Sequence, residues 1–224
     1  MIGFPHQSGP THTERDARVA LLRAFREMSK RGLNAGTAGN ASLRFGEGFL
    51  ITPSGIPADE LEDADLVWLD FKGGMRGERK PSSEWRLHHD ILAARPEVGS
   101  VMHAHSSSAT ALACHGLTIP AFHYMVLRFG GPEVRCAAYA TYGTQALSDA
   151  VLEALQGRTA CLMANHGMLV LGEDAPTAIA AAVEFETLCE HYWRAKQLGE
   201  PHLLTASQLA EVEAQFAGYG QVQQ

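Results

Sequence analysis

The chain has 224 residues, 46% of them hydrophobic, enough to bury a sizeable core. Its 25 acidic against 18 basic residues give a formal charge of -7, and no basic cluster is able to track a phosphate backbone, which argues against nucleic acid as a partner. No apolar run approaches ~20 residues and the start lacks the charged-then-apolar order of a secretory signal, so a cytoplasmic protein with no membrane partner is expected.

The pattern predicts one domain over residues 1–224, with residues 1–12 a flexible N-terminus. Between Thr13 and Arg31 the apolar residues Val19, Leu21, Leu22, Phe25 and Met28 lie close to a helical stripe, and Gly32 is placed to end it. A small-residue loop then leads to Asn40. The segment from Ala41 to Phe45 alternates like a strand, and Gly46-Glu-Gly48 turns it into a second strand from Phe49 to Thr52. Pro53 to Pro57 is a tight turn, Leu66 to Asp70 a further strand, and Lys72 to Lys80 a polar excursion.

Ser82 or Ser83 is placed to cap a helix from Glu84 to Ala94, whose stop is signalled by Arg95-Pro96. Ser100 to His105 reads as a strand. Ser106-Ser-Ser caps a helix through Ala113, and His115-Gly116 ends it. Between Pro120 and Tyr142 the reading is short strands around a Gly130-Gly131-Pro132 turn, then a helix from Thr144 to Leu155. Ala160 to Ala164 and Met168 to Leu171 flank Asn165-His-Gly167 as a hairpin, before a long helix from Pro176 to Leu198. Cys114, Cys136, Cys161 and Cys189 are widely spaced among apolar neighbours, as reduced core thiols are. Helices separated by strand pairs imply an α/β fold, a three-layer α/β/α arrangement around a central mixed, mostly antiparallel sheet.

His103 and His105 stand one residue apart in Val-Met-His-Ala-His-Ser. In a strand, side chains at i and i+2 leave the same face, so both imidazoles can reach one ion. The pair alone is read equally well as half-buried strand histidines bonded to neighbours. A third imidazole at His166 and a carboxylate at Glu84 tip the reading to a metal site with one coordination position left for chemistry.

Five segments, Gly32-Leu-Asn-Ala-Gly-Thr-Ala-Gly-Asn-Ala-Ser-Leu-Arg44, Leu50-Ile-Thr-Pro-Ser-Gly-Ile-Pro57, Lys80-Pro-Ser-Ser-Glu-Trp-Arg86, His103-Ala-His105 and Asn165-His-Gly167, together resemble the class II aldolase/adducin family. Pro120-Ala-Phe-His-Tyr-Met125, Tyr139-Ala-Thr-Tyr-Gly-Thr144 and Phe216-Ala-Gly-Tyr-Gly220 sharpen the likeness toward members that cleave L-fuculose 1-phosphate. The resemblance implies one Zn2+ per subunit on His103, His105 and His166. It makes Glu84 both a resting-state fourth ligand and the catalytic acid/base. A phosphate would be held by Gly39, Asn40, Ser54, Gly55, Ser82 and Ser83, without a lysine. Tyr124 would act from a neighbouring subunit as proton donor to the aldehyde oxygen. Tyr219, in a C-terminal tail over residues 205–224, would close over the substrate.

The implied reaction is reversible cleavage of a ketose 1-phosphate, L-fuculose 1-phosphate or similar, to dihydroxyacetone phosphate and a small hydroxyaldehyde, by a homotetramer with sites between subunits. Pentulose-phosphate epimerases of the same family carry an aspartate at the position of Glu84. Dehydratases and decarboxylases of the family remain alternatives, as does a non-catalytic adducin-like interaction module, against which the intact His103, His105, His166 and Glu84 argue. Arg128, in the bulky Val126-Leu-Arg-Phe129 segment, and Tyr142 depart from the fuculose pattern. Arg128 is a candidate contact to substrate or to a neighbouring subunit, and Tyr142 a candidate wall for the aldehyde portion. His88, His89 and His115 read as packing or surface residues.

Overall fold

In the computed structural model, which describes residues 13–216, helix α1 (Glu14–Lys30) begins where the sequence supplies a cap. The Thr13 hydroxyl accepts from the Asp16 N–H at 3.2 Å, and Glu14 and Asp16 sit at the positive end of the helix dipole. The buried stripe of α1 is Leu21, Leu22, Phe25 and Met28. Strands β1 (Asn40–Phe45) and β2 (Gly48–Ile51) form the expected hairpin, extended by β3 (Val67–Asp70) and the two-residue β4 (Met75–Arg76). Then follow α2 (Trp85–Ala94), β5 (Ser100–Ala104), α3 (Ser107–Cys114), β6 (Cys136–Ala137), α4 (Gln145–Ala154), β7 (Ala160–Met163), β8 (Gly167–Gly172), α5 (Ala175–Gln197) and α6 (Ala206–Phe216).

The strands make one sheet in the order β4-β3-β2-β1-β5-β8-β7-β6, antiparallel throughout except for the β6–β7 pair. Period-two alternation divides the core. Met102, Ala104, Leu162, Met168 and Val170 pack on one face with α1, α3 and α5; Val101, Cys161, Met163, Leu169 and Leu171 pack on the other with α2 and α4. Helices therefore cover both sides of a mixed sheet, the three-layer α/β/α arrangement. Fully buried side chains such as Leu21, Phe49 and Phe185 each contribute about 1.5–3 kcal/mol relative to exposure.

Four local expectations are corrected. Between Pro120 and Tyr142 the chain makes a 3-10 helix over Tyr124–Phe129, burying Val126, Leu127 and Phe129, and strand pairing there is limited to the short β6 and the bridge of Val134 to Ile119. Helix α2 has Glu84 at its N-cap and no side-chain cap from Ser82 or Ser83; the Ser82 hydroxyl instead accepts from the Glu84 N–H at 3.2 Å. Ser106 does not cap α3 with its own side chain, because the Glu186 carboxylate from α5 takes the Ser108 and Ala109 N–H groups at 2.7 and 2.9 Å. Finally, Cys114 is exposed and Cys136 only half-buried; Cys161 and Cys189 alone are core thiols, and all four are free. No helix among the described residues is long and apolar enough to cross a membrane.

Candidate active site

The cluster is built at the centre of the sheet. His103 is the fourth residue of β5, fully buried on the α2/α4 side, and its Nδ1 lies 2.9 Å from the Met168 carbonyl of the neighbouring β8. A carbonyl accepts only, so Nδ1 carries the proton and Nε2 presents a lone pair. His105, two residues on, points the same way: its Nε2 is 2.9 Å from His103 Nε2. Its backbone N–H is held at 3.0 Å by the Asn34 side-chain oxygen. His166 comes from the β7–β8 turn, where Asn165 takes the left-handed conformation that asparagine tolerates (φ 54°).

The three ligand nitrogens lie within 4.8 Å of one another. Glu84 closes the group from the start of α2, with Oε2 3.2 Å from His103 Nε2 and Oε1 3.4 Å from His166 Nε2. Glu84 Oε1 is buried with no hydrogen-bond partner. Three converging imidazoles beside an orphaned carboxylate oxygen are a poor arrangement for protein alone and fit a divalent metal ion.

Electrostatics keep the ligands in metal-binding form. Burial disfavours imidazolium and lowers the pKa of His103 and His105; with His103 adjacent, it takes His166 to about 4. Burial pushes the Glu84 carboxyl up, but the attraction to His103 and His166 when these are protonated and a 2.9 Å hydrogen bond from the Asn40 amide outweigh it, leaving the group below its ordinary value. The site at neutral pH is neutral imidazoles facing a carboxylate.

Above the cluster opens a cleft of about 470 Å³. Gly39, Asn40, Ser54, Gly55, Ser82 and Ser83, the six residues expected to hold phosphate, all line it together with Glu84, His105 and His166. Their backbone donors are not all open: the Ser82 N–H reaches the Thr52 carbonyl at 3.0 Å and the Ser83 N–H the Ser54 hydroxyl at 2.9 Å. Gly39 has φ +72° and lies so close to Asn34 that a Cβ would stand 2.3 Å from the Asn34 amide nitrogen. The opposite rim is aromatic, with Tyr139 and Tyr142 about two-thirds exposed.

Other expected residues lie elsewhere. Tyr124 is 44% exposed, stacks on His123 and lines a separate depression beside α6, outside the histidine cleft of its own chain. Arg128 lines that same depression and pairs with Glu184 of α5 rather than facing the cleft. No α6 residue lines the cleft, and Tyr219, like residues 1–12, falls outside the described residues. His88, read as packing, is fully buried but also bonded to Asn40 and Ser42 beneath Glu84.

Residues 19–193 match the family described as Class II Aldolase and Adducin N-terminal domain. The chain belongs to that family, and within it to the class II aldolases, metal-dependent carbon–carbon lyases. It is 53% identical over 203 residues to a 5-methylthioribulose-1-phosphate/5-deoxyribulose-1-phosphate aldolase of Rhodospirillum rubrum, covering 91% of this chain and 92% of that one. It is 39% identical over 195 residues to the L-fuculose phosphate aldolase of Escherichia coli, covering 87% and 91%. A solved L-fuculose 1-phosphate aldolase superposes with a TM-score of 0.87 at 35% identity, covering 93% of this chain and all of that one.

Proposed function

We propose that the chain cleaves a five-carbon ketose 1-phosphate with an apolar fifth carbon, 5-deoxyribulose 1-phosphate or its 5-methylthio counterpart, rather than L-fuculose 1-phosphate. The observation that carries the lyase chemistry is the set of three imidazole nitrogens facing Glu84 Oε1 and Oε2 at the floor of one cleft. The substrate choice rests on the higher identity to the Rhodospirillum rubrum aldolase than to the fuculose phosphate aldolase. The aromatic rim supports it: a methyl or thioether tail packs well against Tyr139 and Tyr142, whereas the extra hydroxyl of a lactaldehyde unit would lose water there.

His103, His105 and His166 would hold a zinc ion, with Glu84 as fourth ligand until substrate arrives. Bound there, the ion supplies Lewis-acid stabilisation of the negative charge that develops beside the substrate carbonyl. The seryl hydroxyls of the cleft and the Gly39 and Gly55 backbones receive the phosphate. Asn40 gives one N–H to Glu84, so its other N–H is the one available to substrate. In cleavage the C3–C4 bond breaks, its electron pair stays on C3, and the C4 hydroxyl loses its proton as the aldehyde forms. Glu84 moves the proton at C3 that completes dihydroxyacetone phosphate. Over the cleavage cycle the proton lost from the C4 hydroxyl, taken by way of Tyr124 of a second subunit in a homotetramer, equals the one that Glu84 delivers to C3, so no net proton is gained or lost, and condensation runs both transfers backwards.

The test is release of dihydroxyacetone phosphate from zinc-loaded protein given 5-deoxy-D-ribulose 1-phosphate, its 5-methylthio analogue or L-fuculose 1-phosphate. Chelator-sensitive release with higher kcat/KM for the two pentuloses upholds the proposal. Faster cleavage of the fuculose phosphate overturns the substrate, and no release from any of the three overturns the reaction.

A further inference from the structure

Beneath the cleft four polar side chains stand in a row: Ser42, His88, Asn40 and Glu84. His88 lies one helical turn beyond Glu84 on α2, so both side chains leave the same helix face. Asn40 and Ser42, two residues apart on β1, leave the same strand face and take the two sides of the imidazole.

The direction of each bond follows from the carboxylate. Ionised Glu84 can only accept, so the Asn40 atom 2.9 Å from Oε2 is the amide nitrogen. Asn40 Oδ1 is then turned toward His88 Nε2, which must carry the proton to make their short hydrogen bond. His88 Nδ1 is left with a lone pair and accepts from the Ser42 hydroxyl at 2.7 Å. Burial, with His103 adjacent, pushes the His88 pKa down to about 3, so the neutral ring this scheme needs is the one present at neutral pH.

We infer that His88 is a positioning residue for the reaction: by donating Nε2–H to Asn40 Oδ1, it fixes the amide that holds Glu84 toward the three histidines. The inference rests on the acid/base reading of Glu84 given above. Without the His88 donor, the buried Asn40 Oδ1 loses its partner and the carboxylate alone is left to orient the amide, so the grip of Asn40 on Glu84 loosens. A residue needed only for packing at this buried position would serve as well if apolar. Instead, both ring nitrogens are engaged, by residues 46 and 48 positions away in sequence.

Two experiments test it. On zinc-loaded wild-type protein, nitrogen-15 NMR of the histidine rings reports the His88 tautomer. The Nε2–H form is expected, and the Nδ1–H form overturns the chain of bonds whether or not the protein proves to be an active aldolase. The second compares His88→Leu and His88→Gln for kcat, KM, zinc content and thermal midpoint. A folded, zinc-replete His88→Leu should lose roughly 10–100-fold in kcat, as loss of an outer-shell partner does, with KM within about threefold. Glutamine, whose amide N–H can reach Asn40, should recover most of the loss. Wild-type kcat in His88→Leu overturns the inference, as does a glutamine variant that folds and binds zinc but stays as slow as leucine. If leucine prevents folding, the glutamine variant and the tautomer decide.

Discussion

The Glu186 carboxylate caps a helix that is not its own: it accepts the Ser108 N–H at 2.7 Å and, with its other oxygen, the Ala109 N–H and the Ser106 hydroxyl at 2.9 and 2.7 Å. Helix α3 follows directly on His105, so the chain leaving the histidine pair is anchored from α5. Truncating Glu186 to alanine strands the two backbone donors and leaves the Ser106 hydroxyl only the weak acceptor at the Met168 sulfur, and should destabilise the protein by roughly 2–3 kcal/mol. Glutamine, which keeps one acceptor oxygen, should be milder. Urea unfolding measures both, and a Glu186→Ala loss below about 0.5 kcal/mol would show that water replaces the cap.

Gly39 couples the loop proposed to receive phosphate to the histidines through Asn34, which holds the His105 N–H. An alanine there meets two obstacles, the left-handed backbone at φ +72° and the Asn34 amide in the space its Cβ would take. The backbone component alone costs about 1–2 kcal/mol. Displacing Asn34 loosens His105, so Gly39→Ala should also bind zinc more weakly. Competition with a chromophoric chelator measures this, and unchanged affinity in a folded variant would uncouple the loop from the metal ligands.

Glu84→Gln separates the two duties proposed for this one residue. The three imidazoles remain, and the oxygen of the substituted side-chain amide can still accept from Asn40, so stoichiometric zinc should be retained. An amide cannot move the proton at C3, so kcat should fall by about 10²–10⁴-fold. Turnover near the wild-type rate would remove Glu84 from the acid/base role.

The histidine triad is legible in the sequence because its geometry is local: His103 and His105 share a strand face by alternation alone, and Asn-His-Gly marks a turn. His88 is not legible as a partner of Glu84, since Ser42 and Asn40 come from a distant strand and a histidine in an amphipathic helix reads as packing. The segment from Tyr124 to Phe129 is an apolar run that periodicity cannot separate from a strand; burial of Val126, Leu127 and Phe129 decides for the 3-10 helix. Helix α6 carries a signal of another kind. Thr205-Ala-Ser-Gln208 is a capping box, the Thr205 hydroxyl accepting from the Gln208 N–H at 3.3 Å and the Gln208 side chain from the Thr205 N–H at 2.9 Å. Its single buried residue, Leu209, gives hydrophobic periodicity little to find.

The buried histidines also set how the metal-free protein answers acid. His166 takes up a proton only at about 4 and His88 only at about 3 in the folded chain, against an ordinary value of 6.5 when unfolded. Between those limits the unfolded chain binds protons that the folded chain refuses, so stability rises with pH through this window and falls as pH drops below about 6.5. Glu84 has the same sign, because a carboxyl held below its ordinary 4.5 contributes stability above that value and loses it as pH falls through its folded value. The urea midpoint of chelated protein should therefore decline from about pH 7 to pH 4.5 and stay nearly level from about pH 7 to pH 8. Zinc, which binds neutral imidazoles, should hold the midpoint up to lower pH. His88→Leu should flatten the decline in the chelated protein by removing one of the groups that resists protonation. A midpoint that is level from about pH 5 to pH 7 in the chelated wild type would mean that the folded chain takes up these protons as readily as the unfolded one.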